Sequence, residues 1–272
     1  GNASFGYFGG GDPGTVTTID RIDYSNDTAT ASAKGPLSSN NIYKVASSSR
    51  ANAIPLKGPG NLEVAVSLGA FSRNFGPQGT DFGYFGGGQP GTVSTVDRID
   101  YSNDTATAVA KGPLSVARSE LAATGNASFG YFGGGETKST VDRIDYSNDT
   151  ATASPKGPLS IVKQSMGATG NADFGYFGGG FSSSPKFSTV DRIDYSSDTG
   201  TTPTKGPLSS PRHYIAATGN ASFGYFGGGG DPTTSTVDRI DYSNDTGTAS
   251  EKGPLSLARC GIGATGTSSF GY

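Results

Sequence analysis

Histidine occurs once in the 272 residues, at His213, and cysteine once, at Cys260. A Ser-His-Asp relay would have to be built on His213, which stands between Arg212 and Tyr214 with no nucleophile at a recognisable spacing. A lone cysteine forms neither an intrachain disulfide nor a metal-binding cysteine pattern. Aspartates are plentiful, but they return at fixed places in a repeated sequence, which points to structure and not to a glycosidase carboxylate pair. Asp145 and Asp149 flank a turn that could approach a Ca²⁺ ion, yet the ligand spacing of calcium loops is missing and an ordinary turn is expected. The triple glycines lack a following Gly-Lys-Ser/Thr and so do not form a phosphate cradle. A non-enzymatic chain with no cofactor and no metal is the expectation. What remains is binding chemistry: Arg118, Lys163, Arg212, His213, Tyr214 and Arg259 lie in one class of connection, where cations beside a tyrosine could hold an anionic or sugar ligand.

Composition sets bounds on partners. The net charge is −3, with 44 glycines, no tryptophan and 16% charged residues, which supplies no basic surface for nucleic acid or lipid. No apolar run reaches the length of a membrane span, and no leader pattern stands at the N-terminus. Asn2, Asn26, Asn103, Asn126, Asn148, Asn220 and Asn244 fit the glycosylation triplet, as a turn-rich Asn, Ser and Thr composition produces by chance.

The elements that would position these residues come from repetition. FGYFGGG begins at Phe5, Phe82, Phe129, Phe174 and Phe223, and its opening FGY returns at Phe270. Beyond the first interval the unit is about 47 residues, the length of a propeller blade or solenoid turn. Because the chain begins and ends inside a repeat, it reads as a piece of something longer.

The copy over 115–160 divides into four extended stretches: a over 119–124, b over 128–132, c over 140–146 and d over 150–156. Gly125-Asn126, Ser147-Asn148-Asp149 and Gly157-Pro158 separate them as turn formers. No period of 3.6 persists, so no helix is expected. In stretch c the alternation puts Val141, Arg143 and Asp145 on one side and Asp142, Ile144 and Tyr146 on the other. Both sides are mixed, which is what a blade packed between two blades requires. Arg21, Arg98, Arg143, Arg192 and Arg239, with Asp20, Asp97, Asp142, Asp191 and Asp238 beside them, are therefore expected to pair across blade boundaries and set their register. The alternative is exposed pairs worth under about 1 kcal/mol each. The glycines of FGYFGGG are expected to admit close backbone approach near an axis.

A strand ending in glycines, a variable loop, TVDRIDYSNDT, and then KGPLSLAR with its Gly-Pro-Leu and Arg resembles a kelch repeat over most of the chain, although the tryptophan usual after the turn is absent. The resemblance implies an all-β, kelch-like β-propeller of four-stranded antiparallel blades around a channel. DRIDYSNDTATAS and KGPLS are also similar to tandem arrays in structural proteins of tailed phages, cyanophages especially. Copper oxidase chemistry, known in some kelch-like enzymes, needs more histidines than this chain has.

The expected organisation is a single propeller over 1–272, with repeats near 1–38, a degenerate unit at 39–60, then 61–115, 116–160, 161–209 and 210–256, and a closing strand at 257–272. KGPG at Lys57 mirrors KGPL, so Asn41 to Gly60 reads as c and d of an incomplete unit and Asn61 to Phe71 as the next stretch a. The count is five to six blades. Stretch a over Arg259 to Thr265 is expected to complete the first blade, so that N- and C-terminal strands share it.

Comparison among the copies shows where they differ. The b-to-c connections read DPGTVT, QPGTVS, ETKS, FSSSPKFS and GDPTTS, and the d-to-a connections SVARSEL, SIVKQSM, SSPRHYI and SLARCGI, whereas TGNAS and SNDTA barely change. In an up-and-down blade the variable connections share one face. That face is either a binding surface or a set of loops that nothing constrains. The function expected is a structural or adhesion propeller of a virion fibre or extracellular appendage, touching other structural subunits and host-surface glycan. The alternatives are a kelch-type protein-interaction module and a sugar-binding lectin.

Overall fold

The computed structural model describes residues 4–9, 17–38, 46–49, 82–89 and 91–272. Five small antiparallel sheets are arranged as a five-bladed β-propeller. The first blade holds Phe5–Gly9 (β1), Ile19–Asp23 (β2) and Ser32–Ala33 (β3). The second holds Ala46–Ser49 (β4), Phe82–Gly86 (β5), Val96–Asp100 (β6) and Val109–Ala110 (β7). The third is Ala122–Gly125 (β8), Phe129–Gly133 (β9), Val141–Asp145 (β10) and Ser154–Lys156 (β11). The fourth is Gly167–Gly170 (β12), Phe174–Gly178 (β13), Val190–Asp194 (β14) and Thr204–Lys205 (β15). The fifth is Ala216–Gly219 (β16), Phe223–Gly227 (β17), Val237–Asp241 (β18) and Ser250–Glu251 (β19). The first strands of the second to fifth blades, β4, β8, β12 and β16, contact one another in succession and form the inner wall.

Register follows the repeat. Tyr131 faces Arg143 and Phe132 faces Asp142 between β9 and β10, and the same pairs recur as Tyr176 with Arg192 and Tyr225 with Arg239. The four boundaries from the first blade to the fifth are filled from both sides: Tyr131, Val141 and Leu159 of the third blade pack with Phe177, Ile193 and Tyr195 of the fourth. The tyrosines that end adjacent FGY and VDRIDY segments stack, as Tyr131 on Tyr195 with centroids 4.7 Å apart. The close backbone approach expected of the repeated glycines is present at Gly134 and Gly135, where a Cβ would lie 2.5 Å from the carbonyl oxygens of Lys163 and Ser119, and the strand glycine before them has a second reason. A Cβ on Gly133 would lie 2.7 Å from Cε1 of Phe177, so the strand is bare there to receive the next blade's phenyl ring.

Two expectations about organisation are corrected. Ala46–Ser49, expected within a degenerate unit, pair with β5 as the inner strand of the second blade. This happens because IYKVASSS follows KGPLSS as stretch a follows KGPLS elsewhere; KGPG at Lys57 lies outside the described residues. The stretch a expected at Asn61 to Phe71 lies outside the described residues. At the other end, the segment after Arg259 does not add a strand to β1. Thr265 exchanges backbone hydrogen bonds with Tyr272, so 265–272 forms its own short hairpin between the fifth and first blades. The two ends still meet, through Tyr24 stacked on Tyr272 at 5.2 Å and hydrogen-bonded to Thr265.

Candidate functional site

The alternation in VDRID sends its charged residues to two separate internal networks. In the first, Arg143 crosses the blade boundary to Asp198 Oδ2 at 2.7 Å, where the Tyr131 hydroxyl also donates at 2.9 Å and Lys156 Nζ stands 3.6 Å from Oδ1. Tyr84, Arg98 and Lys111 meet Asp149 in the same way, Tyr176, Arg192 and Lys205 meet Asp245, and Tyr7, Arg21 and Lys34 meet Asp104. The acceptor is the aspartate of the next blade's SND or SSD turn, not the aspartate next to the arginine. Each arginine also lies over the phenylalanine that begins its FGYF segment, Arg143 at 4.3 Å from the Phe129 centroid. Burial, reinforced by the aspartate hydrogen bond, raises the pKa of Tyr7, Tyr84, Tyr131 and Tyr176.

The second network uses the first aspartate of VDRID. Asp142 accepts from Ser115 of the preceding blade at 2.6 Å and from Arg118 at 3.0 Å. Lys163 pairs with Asp191 at 2.9 Å and donates to the carbonyls of Phe177 and Thr189, and Arg212 pairs with Asp238 at 2.6 Å. Asp97 accepts from Ser38, and Asp20 is half-buried on the first blade. Desolvation lowers the pKa of Arg118, Lys163 and Arg212, and the paired aspartate opposes it in each case.

The candidate ligand-binding residues therefore divide. Arg118, Lys163 and Arg212, expected to hold a ligand from the variable connections, are corrected to buried scaffold cations: their side chains run from the connection onto the strands of the blade it leads into. His213, Tyr214 and Arg259 remain on the connections themselves. Asp145, weighed as a calcium ligand, accepts from the amide and hydroxyl of Ser147, while Asp149 belongs to the first network.

The variable connections come together as expected from an up-and-down blade. Gln164 of a d-to-a connection bridges to Phe181 of a b-to-c loop, and Gln89 Nε2 donates to Ser119 Oγ at 3.1 Å and Glu136 at 3.3 Å. Glu120, Ser165, Tyr214 and Gly261 occupy equivalent left-handed positions, φ 51 to 63°. The amide of each of the last three donates to the carbonyl of the one before, at 2.8 to 3.0 Å, which links the blades along a rim. Ser165 Oγ donates to the Glu120 carboxylate.

Between the fourth and fifth blades this rim becomes aromatic. Phe181 meets His213 edge-on at 4.7 Å, His213 lies 4.5 Å from Tyr214, and Phe181 and Tyr214 are 6.1 Å apart. Lys186 stands beside them, 3.4 Å from the exposed Asp231 carboxylate. Burial and the Lys186 charge lower the His213 pKa, so the ring is neutral at pH 7. Phe181 and Lys186 were missed among the candidate residues. Their signal was the length of FSSSPKFS and its phenylalanine at a place where other copies carry Gln89, Glu136 or Gly230.

Among the described residues no helix is long and apolar enough to cross a membrane, and no cluster of three or more His, Cys, Asp or Glu is poised around a common point. Comparison with protein-family models and with curated proteins finds no match for the chain.

Proposed function

We propose that this chain is a non-enzymatic, kelch-like display propeller of a virion fibre or extracellular appendage, whose aromatic rim between the fourth and fifth blades binds a host-surface glycan. The observation that carries this reading is the contrast between scaffold and rim. Charged residues that recur in the copies are engaged within and between blades up to the trailing edge of the fifth, whereas Phe181, Lys186, His213 and Tyr214 occur together at one place. An aromatic face with an adjacent cation and flanking hydroxyls suits a sugar ring, which offers apolar C–H faces and polar edges to the same site. The similarity of DRIDYSNDTATAS and KGPLS to tailed-phage arrays supports the setting, and repeated units in a rigid assembly would add avidity to a weak site.

Glycan-array binding tests it. Tyr214→Ala and Lys186→Ala are expected to abolish a signal that Arg259→Ala leaves intact. Failure of the unmodified protein to bind any glycan removes the reading, and capture of an extended peptide by the same rim replaces it with the protein-interaction alternative.

A further inference from the structure

The four junctions from the first blade to the fifth use one set of contacts, and on the outer part of the trailing side of the fifth blade that same set has no partner among the described residues. Tyr225, Arg239 and Lys252 correspond to Tyr176, Arg192 and Lys205, but no aspartate meets them among the described residues. At each complete junction the KGP glycine amide donates to that aspartate's carbonyl, as Gly206 to Asp245 at 2.8 Å, and a Cβ on Gly206 would lie 1.8 Å from the Gly247 oxygen. Around Gly253 a Cβ would meet nothing within 4 Å. Gly178 faces the Phe226 ring at 2.7 Å, whereas Gly227 has only Val237 and Leu255 of its own blade, at 3.8 and 3.9 Å. Arg259 stands where Arg118, Lys163 and Arg212 stand, yet it is exposed and pairs with no VDRID aspartate among the described residues. An apolar cavity of about 580 Å³ opens here, lined by Gly227, Val237, Leu255, Ile262, Phe270 and Tyr272 among others.

The terminal hairpin occupies the inner part of this gap as the first two strands of a blade would. Thr218 meets Gly271 as Thr169 meets Gly224, and Gly263 meets the Phe8 ring as Gly167 meets that of Phe226. Tyr272 stacks on Tyr24 and reaches Asp27, the SND aspartate of the first blade.

We propose that the gap between the fifth and first blades is an acceptor site for a β-hairpin of the repeat's own sequence, supplied by a polypeptide carrying a further copy of it. The occupant is defined by what the other junctions hold: a phenylalanine for the slot at Gly227, a VDRID aspartate for Arg259, a VDRIDY tyrosine to stack on Tyr225, and an SND aspartate for Tyr225, Arg239 and Lys252. A second copy's first blade does not qualify, because its Asp27 and Tyr24 are already engaged by its own Tyr272. The inference is independent of the glycan reading.

The test uses a fluorescently labelled synthetic peptide spanning residues 226–256, which carries the rest of the second strand, the third and the fourth. It is expected to bind the intact protein saturably and raise its melting temperature. Asn in place of the peptide's SND aspartate (D245N), or Arg239→Ala in the protein, should weaken binding about tenfold, the loss of one charge-assisted contact. Gly227→Val should block the phenyl slot and abolish binding. Arg239 lies over the Phe223 ring but has no carboxylate acceptor among the described residues, so Arg239→Ala should lower the unassisted melting temperature less than Arg192→Ala does, which separates lost docking from lost folding. Absence of binding, equal binding of a scrambled peptide, or dimerisation through this edge that the peptide fails to reverse would each overturn the proposal.

Discussion

Arg143 and Asp198 belong to adjacent blades, and their 2.7 Å contact is the hub on which Tyr131 and Lys156 also converge. Three donors on one blade thus read the position of one carboxylate on the next. The aspartate is 7% exposed and the arginine 25%, so the arrangement is partly screened but cannot be rehydrated without separating the blades.

Asp198→Ala should therefore cost about 2–3 kcal/mol, between an exposed pair and a fully buried one, since it strands three donors at once. Arg143→Ala should cost less, because Tyr131 and Lys156 still hold the carboxylate. Urea unfolding midpoints of the two variants measure the difference, and equal losses would show that the hub is only a pair.

Alkaline pH should loosen the fold in a defined direction. Tyr7, Tyr84, Tyr131, Tyr176, Tyr195 and Tyr242 have pKa values raised by burial, so above pH 10 the unfolded chain releases phenolic protons that the folded chain retains. Their stabilisation is complete below pH 10 and is lost as pH rises past it. Lys163 acts the other way, because burial depresses its pKa and stability gained there grows toward pH 10.5, but the tyrosines outnumber it. Stability should thus fall steeply above pH 10, with tyrosinate absorbance from these six appearing only as the protein unfolds. Tyr131→Phe should cost about 1 kcal/mol at pH 7 and flatten that slope. Titration of all tyrosines near pH 10 with the fold intact would contradict it.

The blade was legible because VDRID and FGYF fix strand register through alternation, and because SND and KGP punctuate them at constant spacing. The shared face of the variable connections followed from that order of strands. What misled was position taken without direction: Arg118, Lys163 and Arg212 lie in connections, but a long side chain can reach into the blade that the connection enters. A cation present in each of these copies beside an unpaired VDRID aspartate was itself the sign of a scaffold pair. Phe181, present in one copy, was the better sign of a site. The acceptor edge could not be read from local sequence at all, since Arg239 differs from Arg143 only in what lies opposite it.

That last difference can be measured with two glycines of identical local sequence. Gly206 sits in KGPLS against the Gly247 carbonyl, where an added methyl would overlap backbone that cannot move without opening the junction. Gly206→Ala should cost about 3 kcal/mol, the upper end of overpacking. Gly253 sits in the same KGPLS with open space around it, so Gly253→Ala should be neutral or stabilise by about 0.5 kcal/mol through the unfolded chain. If a repeat hairpin docks beside it, the order changes: Gly253→Ala should prevent docking while leaving the free protein unharmed, because the methyl then meets the incoming turn as it would at Gly206. Urea midpoints with and without the peptide separate the cases. A Gly253→Ala protein that binds the peptide as tightly as the unmodified one would mean that the hairpin does not seat as the other blades do.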